Sequence, residues 1–398
     1  MKAEVTEKAM VSFDNTQIAF ISKSDSDLKK SYLLFKLIGN PLLVKYGGGL
    51  APLGLRLGFK GLIKSTIFKQ FVGGENITDC GKAILQLAKY NIGTILDYSV
   101  EGKESEVDFD HCCTETIETI HRARGDKNIP FCVFKVTGLA RFDLLEKVTA
   151  KQTLTKEETE EYERVKNRVN KICSEAYENK KPIFIDAEES WIQIAIDDLA
   201  NENMARYNKD EAIVYNTFQM YRKDRLAYLN ESVTHGKSGG YHVGAKLVRG
   251  AYMEKERKRA LERGYTSPIQ DSKESSDKDY NSALEFCVNN IDCMGLCAGT
   301  HNEKSSLVLV DLMAKKNIES GDKRIYFSQL LGMSDHISFN LSQSGYNVAK
   351  YVPYGPVKEV LPYLIRRAQE NTSVKGQTGR ELSLIIKEKE RRKKGLTT

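Results

Sequence analysis

The feature that most constrains this chain is a rhythm that begins near residue 90. Short apolar or β-branched runs occur at 91–99, 129–138, 181–189, 211–219, 243–252, 294–302, 324–333 and 346–355. Long amphipathic stretches separate them, such as LTKEETEEYERVKNRVNKICSEAYEN, where Thr155 and Glu158 are spaced as a capping box. Runs of this length and composition predict strands, and the stretches between them predict helices. Eight strands, each followed by a helix, predict an α/β fold: a distorted (β/α)8 TIM barrel with an N-terminal helical extension. A doubly wound sheet is the alternative, but no glycine fingerprint follows the first run. Residues 1–88 precede the rhythm and read as the extension or arm, and residues 89–398 as the barrel.

A barrel of parallel strands places its chemistry at the C-terminal strand ends. Polar residues collect there. Asp97 and Glu101 follow the first run, Lys135 closes the second and Asp186 the third. Gln219 ends the fourth, and Lys246, Arg249 and Tyr252 the fifth. Thr300, His301 and Asn302 end the sixth, and Tyr351 belongs to the eighth. A charge inside a barrel is costly unless paired or placed at the mouth, so Lys135 and Asp186 are expected partners. Beyond the eighth run stands YLIRRAQEN (363–371). Helical geometry brings Tyr363, Arg366, Arg367 and Glu370 toward one side of that segment, a paired cation between an aromatic ring and an acid.

Sixty basic residues against 54 acidic leave a formal charge of +6. That mild excess suits an anionic small molecule or a membrane surface and does not by itself indicate nucleic acid. The eight cysteines form no evident disulfide framework, which fits a reducing compartment. Cys293, Cys297 and His301 are spaced by four, but core packing on a strand explains them without a metal. The first residues, MKAEVTEKAM, lack the apolar region of a secretory signal, and no run reaches the roughly 18 apolar residues of a membrane span. A soluble or peripheral protein is expected. Segment 40–74 is apolar, glycine-rich, basic and free of acids. It reads as helices packed on the barrel or, alternatively, as a segment dipping into anionic lipid. The tail KEKERRKKG mixes acids with its cations and reads as a solvated helix end.

Taken together, DAEES, NTFQMYRKD, GAKLVRGAYMEKER, AGTHN and YVPYGPVKEVLPYLIRRAQEN resemble the proline dehydrogenase family, flavoenzymes that oxidise L-proline. The resemblance runs from about residue 91 to 374 and is loose before it. It implies a distorted barrel whose last helix covers the mouth, with FAD held noncovalently near the fourth to sixth strands. Gln219 matches the residue that hydrogen-bonds the flavin ring, and Lys246 and Val248 match positions near the flavin N5 edge. The resemblance places Arg249 and Gly250 of the GAY motif, Thr300, His301, Asn302 and Glu370 around the rest of the cofactor. On the substrate side it implies that Arg366 and Arg367 clasp the proline carboxylate, for which bidentate guanidinium geometry is suited. Tyr252, Leu330, Tyr351 and Tyr363 then wall the ring, Lys135 and Asp186 form the polar floor, and Glu101 pairs with the first arginine.

The implied reaction is hydride transfer from proline C5 to the flavin, giving Δ1-pyrroline-5-carboxylate. Electrons then pass to a quinone, with peripheral contact at the inner or plasma membrane, and a separate pyrroline-5-carboxylate dehydrogenase acts downstream of a monofunctional enzyme. Two other activities remain open. A hydroxyproline dehydrogenase of the same family is disfavoured by Tyr351, where relatives preferring that substrate carry a smaller residue. A barrel aldolase would use Lys246 or Lys135 as a Schiff-base amine. The expected location is the cytoplasm, peripheral on the inner face of the plasma membrane, or the mitochondrial inner membrane in a eukaryote.

Overall fold

The computed structural model describes residues 11–39, 61, 67–99, 104–373 and 377–395, with the backbone alone for 368–373, 377 and 378. Eight parallel strands close into a barrel in sequence order: β1 (Ile92–Tyr98), β2 (Phe131–Lys135), β3 (Ile183–Asp186), β4 (Val214–Gln219), β5 (Val243–Val248), β6 (Met294–Gly299), β7 (Ile325–Leu330) and β8 (Val348–Tyr354). Each lies within one of the eight runs read from the sequence. The ring is closed by β1 on β8, with Ile95 opposite Tyr351. The expected capping box is also present, with Thr155 and Glu158 satisfying each other's backbone N–H groups.

Two cores follow from the period-two alternation of a strand. Side chains facing outward meet the surrounding helices in the large core. Those facing inward fill the lumen: Ile95, Phe131, Val133, Phe184, Tyr215, Cys297, Ala349 and Tyr351. Phe131 and Phe184 stack at 4.4 Å, and Tyr215 stands edge-on to both. Space for Tyr215 is left by Gly295, where a Cβ would come 2.2 Å from the phenol oxygen. The same parity carries the residues at each strand's C-terminal end to the mouth, so the packing of the lumen sets the orientation of the site.

A third apolar core lies outside the barrel. Phe20, Leu28 and Phe35, from the first residues described, pack with Val360, Tyr363 and Leu364 of helix Val357–Ser373 and with Leu384 and Ile385 of helix Gln377–Lys393. The final helix therefore corrects one expectation. Lys387, Glu390, Lys393 and Lys394 of the tail are exposed as expected, but Glu388 is fully buried, bonded by Arg391 Nε at 2.8 Å and Arg392 Nε at 2.7 Å. Arg392 also reaches Asp25 at 2.8 Å, so opposite charges tie the two ends of the chain together.

The extension is further anchored by Lys350, an outward residue of β8 with no solvent exposure. Its ammonium donates to Met333 O at 2.6 Å and to Asp335 Oδ1 at 2.8 Å, and Lys23 reaches the same carboxylate at 3.1 Å. Removing one partner of a buried ion pair typically costs about 3–5 kcal/mol, because the other charge is stranded. Asp335→Ala is therefore expected to lower the urea midpoint by an amount equivalent to roughly 3 kcal/mol. A midpoint within the error of the parent protein would refute this.

Candidate active site at the barrel mouth

Inward parity brings Lys135, Asp186, Lys246 and Tyr351 together at the mouth. The Lys246 ammonium bonds the Asp186 carboxylate and donates to Tyr351 Oη at 2.5 Å. Tyr351 in turn donates to Asp186 at 3.4 Å. The ammonium also lies 4.6 Å from the centre of the Tyr351 ring and 5.4 Å from that of Phe184, where aromatic faces favour a cation. Lys135 stands 3.6 Å from Asp186 and 3.9 Å from Asp97. The expected Lys135–Asp186 pair is thus present but is the longer of two. The nearer cation comes from β5, because the lumen is narrow enough for a long lysine to cross it.

Electrostatics fix the charge states. Burial raises the Asp186 pKa, but the Lys246 and Lys135 ammoniums and the bonds from Lys246 and Tyr351 outweigh it and hold the carboxyl below its ordinary value. Burial and the adjacent Asp186 push the Tyr351 phenol well up, so it stays neutral. Glu188, two residues beyond Asp186, is buried and pushed up to about 7 by desolvation, although Thr137 Oγ1 donates to it at 2.5 Å. Nothing in DAEES singles out Glu188, since burial of one acid in an acidic motif leaves no local signal.

Along the rim, Arg249 is held by Asp277 at 2.6 Å, Thr300 Oγ1 at 2.8 Å and Ser305 Oγ at 2.9 Å, with Tyr280 under its guanidinium at 4.4 Å. Asn302 caps helix Glu303–Lys315 by accepting from Ser305 N at 3.1 Å. Gly250 adopts φ +133°, and a Cβ there would sit 2.3 Å from the Tyr221 ring, so only glycine lets the chain pass. Val248 ends β5 and accepts from Met220 N at 2.8 Å. Tyr252 occupies the position before helix Met253–Arg263 and is half-buried.

His301 lies 2.9 Å from Ser334 Oγ through Nδ1. Burial, then the charges of Lys350, Arg367, His336 and Arg249, lower its pKa to about 3, so the imidazole is neutral. Arg367 is thus near enough to His301 for its charge to act on the imidazole. Within helix Val357–Ser373 Arg367 is buried, its guanidinium 5.2 Å from the Tyr363 ring, while Arg366 is half-exposed. Leu330, at the end of β7, touches both the lumen cluster of Tyr351 and the outer cluster of Tyr363. Glu101, the Glu370 side chain and most of segment 40–74 lie outside the described residues. Cys297 Sγ donates to Ser328 Oγ at 3.3 Å.

Gln219 is 1% exposed, and its side-chain carbonyl has no hydrogen-bond donor among the described residues. A buried acceptor of this kind costs free energy unless a ligand supplies the donor. A flavin ring carries an imide N–H, so the donor set fits the cofactor implied by the motifs.

Fold and site together define a parallel α/β barrel with an ion-paired, aromatic-walled mouth under a helical cover. The family model for proline dehydrogenase matches residues 80–380, and the chain belongs to the proline dehydrogenase family. It is 32% identical to proline dehydrogenase 1, mitochondrial, of Dictyostelium discoideum over 95% of this chain and 74% of that protein. It is 31% identical to hydroxyproline dehydrogenase of Xenopus laevis over 94% of this chain and 88% of that protein. A carbapenem antibiotics biosynthesis protein, CarD, of Pectobacterium carotovorum is also 31% identical, over 84% of this chain and 86% of its own. Among solved structures, proline utilization A of Bdellovibrio bacteriovorus, inactivated by N-propargylglycine, shares the fold with a TM-score of 0.72 at 19% identity. The match covers 90% of this chain and 38% of that one.

The raised Glu188 pKa makes stability depend on pH in a defined direction. An acid ordinarily near 4.5 that titrates near 7 when folded contributes stability fully below about 4.5, and loses it as pH rises through 7. Glu188→Gln is expected to flatten the change in melting temperature of the flavin-free protein between pH 5 and 8, a span worth at most about 3 kcal/mol. An unaltered slope would contradict the assignment.

Proposed function

We propose that this chain oxidises L-proline to Δ1-pyrroline-5-carboxylate with FAD as the cofactor. The observation that carries the reading is the pairing of a buried Arg367 with an ion-paired, apolar-walled mouth, in a chain of this family. A small zwitterion must be oriented through its carboxylate, and Arg366 and Arg367 would be the cations that grip it. Tyr363, Tyr351, Tyr252 and Leu330 supply the apolar walls. Lys135 and Asp186 supply the polar floor, with Glu101 and Glu370 assigned to the arginine and cofactor by the motifs alone.

Gln219, Lys246, Val248, Arg249, Gly250, Thr300, His301 and Asn302 would hold the flavin. When bound, FAD supplies the acceptor for the hydride equivalent that leaves proline C5. The chain's own contribution is electrostatic. Lys246 keeps a fixed positive charge in a water-poor lumen, oriented by Asp186 and Tyr351, where it stabilises negative charge developing above it. The same geometry argues against a Schiff-base aldolase, because the Lys246 amine is engaged by Asp186 and Tyr351 rather than left open to a carbonyl. His301 is held neutral, so it adds no further cation. The helix carrying both arginines covers the mouth and limits water.

Tyr351 also bears on substrate choice. Its phenol is pinned by Lys246 and Asp186, and its ring lies 6.3 Å from Phe184 and nearly parallel to it. A side chain fixed in this way cannot swing aside for a 4-hydroxyl, which favours proline over hydroxyproline. Transfer of the electrons to a quinone, peripheral membrane contact, a separate pyrroline-5-carboxylate dehydrogenase and the division of the chain at residue 88 belong to the same proposal. The cytoplasmic or mitochondrial setting does too. Among the described residues no helix is long and apolar enough to cross a membrane.

Anaerobic addition of L-proline to the purified protein is expected to bleach its flavin absorbance, and a soluble quinone to restore it; a spectrum that does not respond to proline refutes the proposal. Under the same conditions 4-hydroxyproline should turn over more slowly. Arg367→Met is expected to raise the KM for proline roughly ten- to a hundredfold, the scale of a charge-assisted contact. Flavin content should stay near that of the parent, and an unchanged KM would remove Arg367 from the site.

A further inference from the structure

Ser334 stands in the loop after β7 with a left-handed backbone, φ +50°, which a side chain other than glycine or asparagine seldom adopts. Such a conformation persists only where its surroundings over-determine it. Three anchors do so here. The Glu381 carboxylate, from helix Gln377–Lys393, accepts the Ser334 N–H. Gln70 Nε2 donates to Gly332 O at 2.9 Å, and the Gln70 backbone packs so closely that a Cβ on Gly332 would lie 2.1 Å from its oxygen. Lys350 holds Met333 O from β8 at 2.6 Å.

The loop so held carries the only hydrogen-bond partner of the His301 ring among the described residues, Ser334 Oγ at 2.9 Å from Nδ1. Glu381 is 3% exposed, and burial raises its pKa. A buried acid retained at a cost, with its oxygen on the N–H of a strained turn, calls for a purpose beyond solubility. Helix Gln377–Lys393 otherwise lies outside the barrel, and residue 381 is one beyond the stretch that the family model matches.

We propose that Glu381 is a positioning residue: from the last helix it locks the Ser334 turn, and through Ser334 Oγ it sets the orientation and tautomer of His301 on the cofactor side of the mouth. The extension outside the barrel is then a part of the site's construction. A neutral imidazole has one N–H and one bare nitrogen, and whichever Ser334 engages at Nδ1 decides what Nε2 presents. This rests on the assignment of His301 to the cofactor side made above, but its first test does not.

That test uses the flavin-free protein labelled with 15N-histidine. The chain has six histidines, so the His301 signals are assignable by comparison with His301→Asn. Glu381→Ala and Ser334→Ala are each expected to move the His301 Nδ1 and Nε2 shifts toward a mixed-tautomer pattern, while Glu381→Gln, which keeps an acceptor, restores them. Flavin affinity, measured by fluorescence quenching on titration with FAD, should fall about tenfold in both alanine variants and recover in Glu381→Gln. Parent-like nitrogen shifts in a folded Glu381→Ala, or in Ser334→Ala should the former not fold, overturn the proposal. Equal loss in Glu381→Gln and Glu381→Ala overturns it as well, since that pattern marks packing. Altered shifts with unchanged flavin affinity leave the positioning intact and instead refute the placement of His301 beside the cofactor.

Discussion

A lysine inside a barrel can be kept charged only if the lumen supplies its counter-charge, and the Lys246–Asp186 pair does this for the whole mouth. Tyr351 is oriented by both partners, Lys135 is drawn to the same carboxylate, and the Phe184 ring below faces the cation. Desolvation opposes every one of these charges, so the cluster survives because its members neutralise one another within hydrogen-bonding reach. Take away Asp186 and three side chains lose their reason to point where they do. The same arrangement makes the site rigid before any ligand enters, which is what electrostatic preorganisation requires.

Around this centre the chain builds a second layer from its two ends. Residues near 20–35, the cover helix and the final helix share an apolar core; Lys23, Asp335 and Lys350 join it to the barrel, while Glu388 and Arg392 tie the final helix to residues 20–25. Lys23, Gln70, Lys350 and Glu381, far apart in sequence, converge on the loop after β7. That loop faces both Leu330 and His301. A barrel alone would leave the loop at the mercy of its own left-handed turn, so the outer elements hold the edge of the mouth in place.

Much of the site was legible before the structure because strand parity is simple. Once the eight runs are placed, Asp186, Gln219, Lys246 and Tyr351 must share the inner face at the C-terminal ends. Pairing was less legible. Lys135 and Asp186 are neighbours by strand order, yet Lys246 is the nearer cation, since reach across a lumen depends on side-chain length and the packing of Phe131, Phe184 and Tyr215 beneath. Glu188, Ser334, Lys350 and Glu381 carried no local signal at all. Their roles arise from burial or from partners on distant elements. In the tail, burial of Glu388 escaped notice for the same reason: its partners Arg391 and Arg392 look solvated until the ends of the chain are seen together.

Local chemistry, then, was determined by the sequence itself: the alternation that makes strands, the helices between them, the motifs at strand ends and the double arginine beyond the last strand. These depend on residue type and spacing, which act over a few positions. The tertiary structure decided which charges neutralise which, which acid titrates near neutral pH, and how distant parts of the chain close on one loop. Those outcomes depend on distance and dielectric, and neither exists until the barrel has closed and water has left its mouth.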